Sequence, residues 1–325
     1  MLCGMQARDL LVDPFEPGWG RARGACSPVD AQPLGVLDLR ACPVDARLSE
    51  LPPFPLIGFG NPGHPIAGAL DAVIESPVSL DALIRHVQHA PRAAALTVQL
   101  LRSLEGVPVE RALQLESMCY GLLQGSAEHA AWLATRVVES NDTPTGQLIV
   151  ERSGSVLHLV IDRPAARNAI DRVLRDQLCD AFTVAALDTQ VRSIQLRASG
   201  QHFSIGGDLK EFGTTRDPAT AHLIRSRTLP ALALVPRADI LEVHVQGACI
   251  GAGVELAAFA GRVTATSNAW FQLPELAMGL IPGAGGCVSV PKRIGRQRTA
   301  LMILSGRRIN AATALRWGLI DAIED

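Results

Sequence analysis

At 325 residues, with 48% hydrophobic and 19% charged residues and a formal net charge of −2, the chain can bury a full core in one large domain or two ordinary ones. It carries no block of like charge, which argues against a polyanion-binding arm, so nucleic acid is not an expected partner. The seven cysteines (Cys3, Cys26, Cys42, Cys119, Cys179, Cys249 and Cys287) form no CxxC pair; they suit neither a disulfide framework nor a zinc site, and a cytoplasmic protein without a metal is expected.

The chain begins MLCGMQARDLLVDPFEPGWG, with acids at Asp9 and Asp13 and no basic start before a long apolar run; no signal peptide is expected. Later apolar runs are broken by Arg, Gly or Pro before they reach the roughly eighteen residues of a bilayer crossing, and no membrane span is expected. Residues 1–50 mix Pro, Gly and Ala with short apolar pieces such as Gly35–Leu39 and read as an irregular lead with one or two strands. The run PPFPLIGFG after Leu51 reads as a strand, and NPGHP as a turn in which His64 is a solvated, structural residue.

From Leu70 to Arg136 the apolar period turns helical. Leu80, Leu83, Ile84 and Val87 follow Ser79, a candidate N-cap, and Pro91 starts a second helix with Leu96, Leu100 and Leu101. A third helical stretch from Val109 to about Arg136 places Leu113, Glu116, Tyr120 and Leu123 on one face. Glu116 reads there as a solvated or salt-bridged glutamate, and Tyr120 and Trp132 as core aromatics. SNDTPTG, residues 140–146, has the composition of a linker and divides the chain into 1–140 and 141–325.

Beyond the linker, LIVERSGSVLHLVIDRP predicts a hairpin, and Asn168 or Asp171 opens a helix over 171–186. Strands at 193–197, 241–245 and 262–265 alternate with helices from about 220 and near 251–260, which is an α/β pattern. Four stretches concentrate chemistry here: RPAARNAI (163–170), GQHFSIGGDLKEF (200–212), HVQGACIGAGVELAAFA (244–260) and WFQLPELAMGLIPGAGG (270–286). Gly206-Gly207 and Gly251-Ala252-Gly253 lack most of the Cβ atoms that would keep a ligand from backbone amides, and amides so placed can hold a developing oxyanion. Glu255 and Glu275 sit in otherwise apolar surroundings, as a general acid and base pair would. Cys249 and Cys287 read as packing thiols, with no base beside them.

Together these four stretches, in order and spacing from Leu148 to Asp325, resemble the crotonase (enoyl-CoA hydratase/isomerase) superfamily. The resemblance implies an α/β fold, a spiral of ββα units, with an additional N-terminal, mainly helical region. It implies an oxyanion hole made by the backbone N–H groups of Gly207 and Ala252, the latter standing where the family usually has glycine. Glu255 and Glu275, twenty positions apart, match the two catalytic glutamates of hydratases. Gly207, Asp208, Leu209 and Lys210 correspond to the coenzyme A binding stretch, and Arg163 and Arg167 stand where the family approaches the nucleotide. The implied activity is hydration of a 2-enoyl-CoA, or its reverse, with no cofactor beyond the coenzyme A of the substrate. The alternatives are enoyl-CoA isomerisation, decarboxylation, thioester hydrolysis, or acyl-CoA binding without catalysis. A homo-oligomer, trimer or hexamer, is implied as well.

An ordinary crotonase continues for several helices beyond the position of Trp317–Asp321. Residues 70–136 resemble that tail: a short strand, a helix, an Ala-rich helix after proline and a long closing helix. A circular-permutation-like arrangement is therefore expected, with 70–136 packed where the tail would sit.

Overall fold

The computed structural model describes residues 6–12, 33–48, 50–136 and 143–325. Cys3, Asp13, Cys26 and linker residues 140–142, with the division point among them, lie outside the described residues.

The C-terminal region is built on a six-stranded sheet. Strands β4 (Gln147–Ser153) and β5 (Val156–Asp162) form the expected antiparallel hairpin, and β5 alternates its burial so that Leu157, Leu159 and Ile161 face the core. From β5 the sheet continues in parallel through β6 (Ser193–Ala198), β7 (Leu241–Val245), β9 (Arg262–Ala265) and β12 (Ala322–Ile323). A second sheet orders β11 (Ile309–Asn310), β10 (Trp270–Gln272) and β8 (Ala248–Ile250). Helices connect the turns of this spiral: α5 (Arg172–Leu187), α6 (Pro218–Thr228), α7 (Pro230–Leu234), α8 (Ala252–Ala257), α9 (Gly286–Ser305) and α10 (Ala311–Trp317). Asp171, rather than Asn168, caps α5, accepting from Leu174 N at 2.9 Å.

The N-terminal region contributes a parallel sheet, β1 (Gly35–Asp38), β2 (Leu56–Phe59) and β3 (Ala72–Val73), and then helices α1 (Leu80–His89), α2 (Pro91–Ser103), α3 (Val109–Gln124) and α4 (Ala127–Ala134). The third helical stretch is thus two helices, because Gly125 ends α3 and the Ser126 hydroxyl caps α4 by accepting from His129 N at 3.1 Å. His64 is buried rather than solvated: its ring accepts from Ile66 N and caps a short 3₁₀ turn. The apolar faces of α1, α2 and α3 pack on α9, and α3 also packs on α6, so the core runs continuously from Leu83 and Leu101 to Leu301 and Ile303.

One strand exit occurs twice. GALDAVI (68–74) and GLIDAIE (318–324) both run into a short strand parallel to its neighbour. Asp71 N donates to Leu56 O and Ile74 N to Gly58 O; equivalently, Asp321 N donates to Val263 O and Glu324 N to Ala265 O. Each aspartate also accepts from the adjacent strand, Asp71 from Leu56 N at 2.8 Å and Asp321 from Val263 N at 2.7 Å. Arginine meets both, Arg102 and Arg296 at Asp71 and Arg293 at Asp321. At the first exit the chain runs on into α1; the second closes the sheet of the spiral.

Asp71 is fully buried between Arg102 of α2 and Arg296 of α9, tying the N-terminal helices to the spiral. Removing one partner leaves a buried charge uncompensated. Asp71→Ala is expected to lower the unfolding free energy by about 3 kcal/mol, measured by urea denaturation.

Candidate active site

Two loops and two turns converge on one cavity of about 1090 Å³. The first loop follows β6. Asn168, with positive φ and fully buried, donates from its amide to Ser199 O and His202 O and accepts from Arg163 N. The Ser204 hydroxyl donates to Asn168 O and accepts from Gly206 N, while Ile170 N donates to Gly206 O and Asp208 N to Ile170 O. These bonds fix 204–208 against 168–170. Between them, Gly207 N donates to no acceptor among the described residues.

The second loop lies beside the first because Ser204 N donates to Ala248 O and Ile250 N to Ser204 O. A Cβ on Gly206, whose φ is +93°, would stand 3.0 Å from Ile250 O. Gly251 turns the chain at φ +49° into α8, and a Cβ there would meet Glu275 Oε1 at 2.7 Å. Ala252 is the first residue of α8, and its N–H likewise finds no acceptor among the described residues. Gly207 and Ala252 both line the cavity.

Glu255, one turn into α8, and Glu275, which opens a 3₁₀ turn over Glu275–Met278, line the same cavity and are 2% and 7% exposed. Glu255 Oε2 accepts from Ala284 N at 2.6 Å and Gly286 N at 2.8 Å, the start of α9. Burial pushes its pKa up to about 7 against the opposing pull of those two amides. Glu275 Oε2 is buried without a hydrogen-bond partner among the described residues. Burial, reinforced by repulsion from Glu255, raises its pKa well above the carboxylate range.

Around the cavity mouth, Asp208, Leu209, Lys210 and Arg167 are lining residues. Burial raises the Asp208 pKa, but the Lys210 amide and the Arg163 guanidinium outweigh it and leave that pKa lowered. Arg163 is not part of the lining: it is buried behind it, bonded to Asp208 at 2.7 Å, to Asp171, and to the carbonyls of Pro144 and Ala169. Cys249 and Cys287 are fully buried, which pushes both thiols upward.

The N-terminal helices supply residues whose periodicity alone suggests a plain core or surface role. Tyr120, Gln124, Trp132 and Arg136 line the cavity. Tyr120 occupies the space where a Cβ on Gly283 would lie 2.3 Å from its ring, and the Arg225 guanidinium covers that ring at 4.5 Å. Glu116 is not a surface residue; it is 1% exposed and accepts from Gly285 N and Cys287 N. The sequence signal for it was its place among Leu113, Tyr120 and Leu123 on a buried face. Helix α4 braces the turn that carries Glu275, His129 Nδ1 lying 2.9 Å from Met278 O. Among the described residues, no cluster of three or more His, Cys, Asp or Glu could hold a metal ion, and no helix is long and apolar enough to cross a membrane.

A family model described as enoyl-CoA hydratase/isomerase matches residues 151–324. The chain belongs to that family, the crotonase superfamily. At the level of the family it is an enzyme of the hydratase/isomerase type. It is 36% identical over 177 residues to 2,3-dehydroadipyl-CoA hydratase of Escherichia coli (strain K12), covering 54% of this chain and 69% of the relative. It is 30% identical over 177 residues to carnitinyl-CoA dehydratase of Proteus mirabilis, covering 52% and 65%. Enoyl-CoA hydratase from Thermoplasma volcanium superposes with a TM-score of 0.50 at 32% identity, covering 55% of this chain and 71% of that one. An enoyl-CoA hydratase/isomerase from Marinobacter aquaeolei also gives 0.50, at 28% identity, covering 55% and 70%. The chain spans about two thirds of the length of the relatives it matches.

The raised pKa of Glu255 has a sign for stability. A carboxyl that binds its proton more tightly when folded contributes stability that is complete below the unfolded value of 4.5 and is lost as pH rises through about 7. The loss amounts to roughly 3 kcal/mol. In thermal melts between pH 5 and 8, Glu255→Gln is expected to lose less stability with rising pH than the unsubstituted protein.

Proposed function

We propose that the protein hydrates a 2-enoyl-CoA thioester, or dehydrates the corresponding 3-hydroxyacyl-CoA. The observation that carries this reading is the pair of buried carboxyl groups, Glu255 and Glu275, on one cavity beside two backbone N–H groups that have no acceptor among the described residues. The hydratase and dehydratase names of its relatives agree with it.

In this reading the thioester oxygen accepts from Gly207 N and Ala252 N, and the amide dipoles stabilise the negative charge that develops there as the enolate forms. The N-terminus of α8 adds to that field. A water held between the two glutamates gives one proton to the Glu255 carboxylate while its oxygen bonds to C3. Glu275, whose burial keeps it protonated, gives its proton to C2. Proton return from Glu255 to Glu275 restores the starting state. The Asp208–Lys210 segment and Arg167 border the coenzyme A arm, and Arg163 acts behind them by holding Asp208.

Residues 70–136 stand in for the family's closing helices. Their packing on α9 and their share of the cavity lining support that arrangement.

Purified protein is expected to deplete the ultraviolet absorbance of crotonyl-CoA or a longer 2-enoyl-CoA, with the 3-hydroxyacyl product identified by mass. Glu255→Gln and Glu275→Gln are each expected to lose a factor of about 10² to 10⁴ in kcat. A shifted double bond, or free acid and coenzyme A, would replace hydration with isomerisation or hydrolysis. A chain lacking residues 1–140 is expected to be insoluble or inactive; a soluble, fully active remainder would remove the proposed role of the N-terminal helices.

A further inference from the structure

Four consecutive amides at the start of α9 are divided between two acids. Ala284 N and Gly286 N donate to Glu255 Oε2, whereas Gly285 N and Cys287 N donate to Glu116 Oε1 and Oε2 at 2.7 and 2.8 Å. Glu255 comes from α8, and Glu116 from α3, outside the residues the family model matches. A Cβ on Gly286 would stand 2.6 Å from Glu255 Cγ, so the loop lies directly against the Glu255 side chain and leaves no room for a side chain at 286. With Oε2 doubly engaged, Glu255 Oε1 is the oxygen left for the cavity.

We propose that Glu116 is a positioning residue for the reaction: it pins loop 284–287 so that Glu255 presents one oxygen to the bound water, and the two acids act as a coupled pair through that loop.

The arrangement is electrostatically specific. Both oxygens of Glu116 accept from an N–H, a pattern that suits a carboxylate and not a carboxylic acid. Burial, and after it the negative potential of Glu255, raises the Glu116 pKa well above the usual carboxylate value, while the two amides and Arg225 of α6 pull toward the charged form. The remaining titratable neighbours are Tyr120 and Cys119 on α3, Cys287 on α9, and Glu275 on its own turn. None of these carries positive charge, and charge on either glutamate makes ionisation of the other harder.

Glutamine at 116 would remove the charge and turn an NH₂ group toward one of the two amide donors, loosening the loop. Aspartate would keep the charge but fall short of both amides. The kinetic readout rests on the hydratase reading above. For Glu116→Gln, kcat should fall by about ten- to a hundredfold with KM nearly unchanged, and the lower-pH limb of the kcat profile should move down by about one unit. For Glu116→Asp, kcat should fall while that limb stays within a few tenths of a unit.

A second measurement needs no turnover. The protonated-carboxyl stretch of Glu255, assigned in infrared difference titrations by its loss in Glu255→Gln, should titrate at lower pH in Glu116→Gln than in the unsubstituted protein. An unmoved infrared midpoint in folded Glu116→Gln overturns the proposal, as does an unsubstituted kcat in Glu116→Asp, which also decides the matter should the glutamine variant fail to fold. A protein that turns over no enoyl-CoA yet shows the shifted midpoint would overturn the hydratase reading and leave the coupling of the two acids standing.

Discussion

Four N–H groups at the head of α9 lie away from water, and a buried helix start must find acceptors for them. In this protein the acceptors are carboxylates from two different parts of the chain, Glu255 and Glu116. Much of the molecule follows from that requirement. It fixes the angle of Glu255 to the cavity, it brings α3 against α9, and it makes the residues before the linker part of the same core as those after it. A hydrogen bond to a buried charged acceptor is worth more than one between neutral groups, and leaving either side unmatched is costly. The pairing therefore specifies one arrangement of the two regions.

The cavity lining beyond the linker was legible because it is written in backbone terms. Glycines at 206, 207 and 251 announce close approach, and acids at 255 and 275 in apolar runs announce a purpose, so the loops and strands lie where the periodicity puts them. Strand boundaries at 241–245 and 262–265 coincide with the expected ones because alternation and the flanking turns leave no freedom. The N-terminal helices were legible as packing elements, including the Ser79 cap of α1 and the Pro91 start of α2.

What periodicity hides is the far partner of a buried polar group. Glu116 on a helix face looks like any other glutamate until residues 285–287, about 170 positions away, bring two amides to it. The same holds for Tyr120 and Trp132, whose spacing announces burial but not that the buried side is a cavity wall. His64 joins them, its ring buried as a local cap in a turn that reads as solvated. The break between α3 and α4 was obscured because Gly125 and Ser126 interrupt an otherwise continuous apolar period. The doubled strand exit at Asp71 and Asp321 is seven residues long in each copy, too short to stand out before the matching hydrogen bonds identify it.

Helices α3 and α4 furnish Tyr120, Gln124 and Trp132 to the cavity, and Arg136 just beyond α4 joins them, while Glu255, Glu275 and both glycine loops come from beyond the linker. The two glutamates and these lining residues thus sit on stretches of chain more than a hundred residues apart. Selection for a different acyl group can act on the first stretch while the second stays constant. A lineage of such chains would diversify in what it accepts well before it altered what it does.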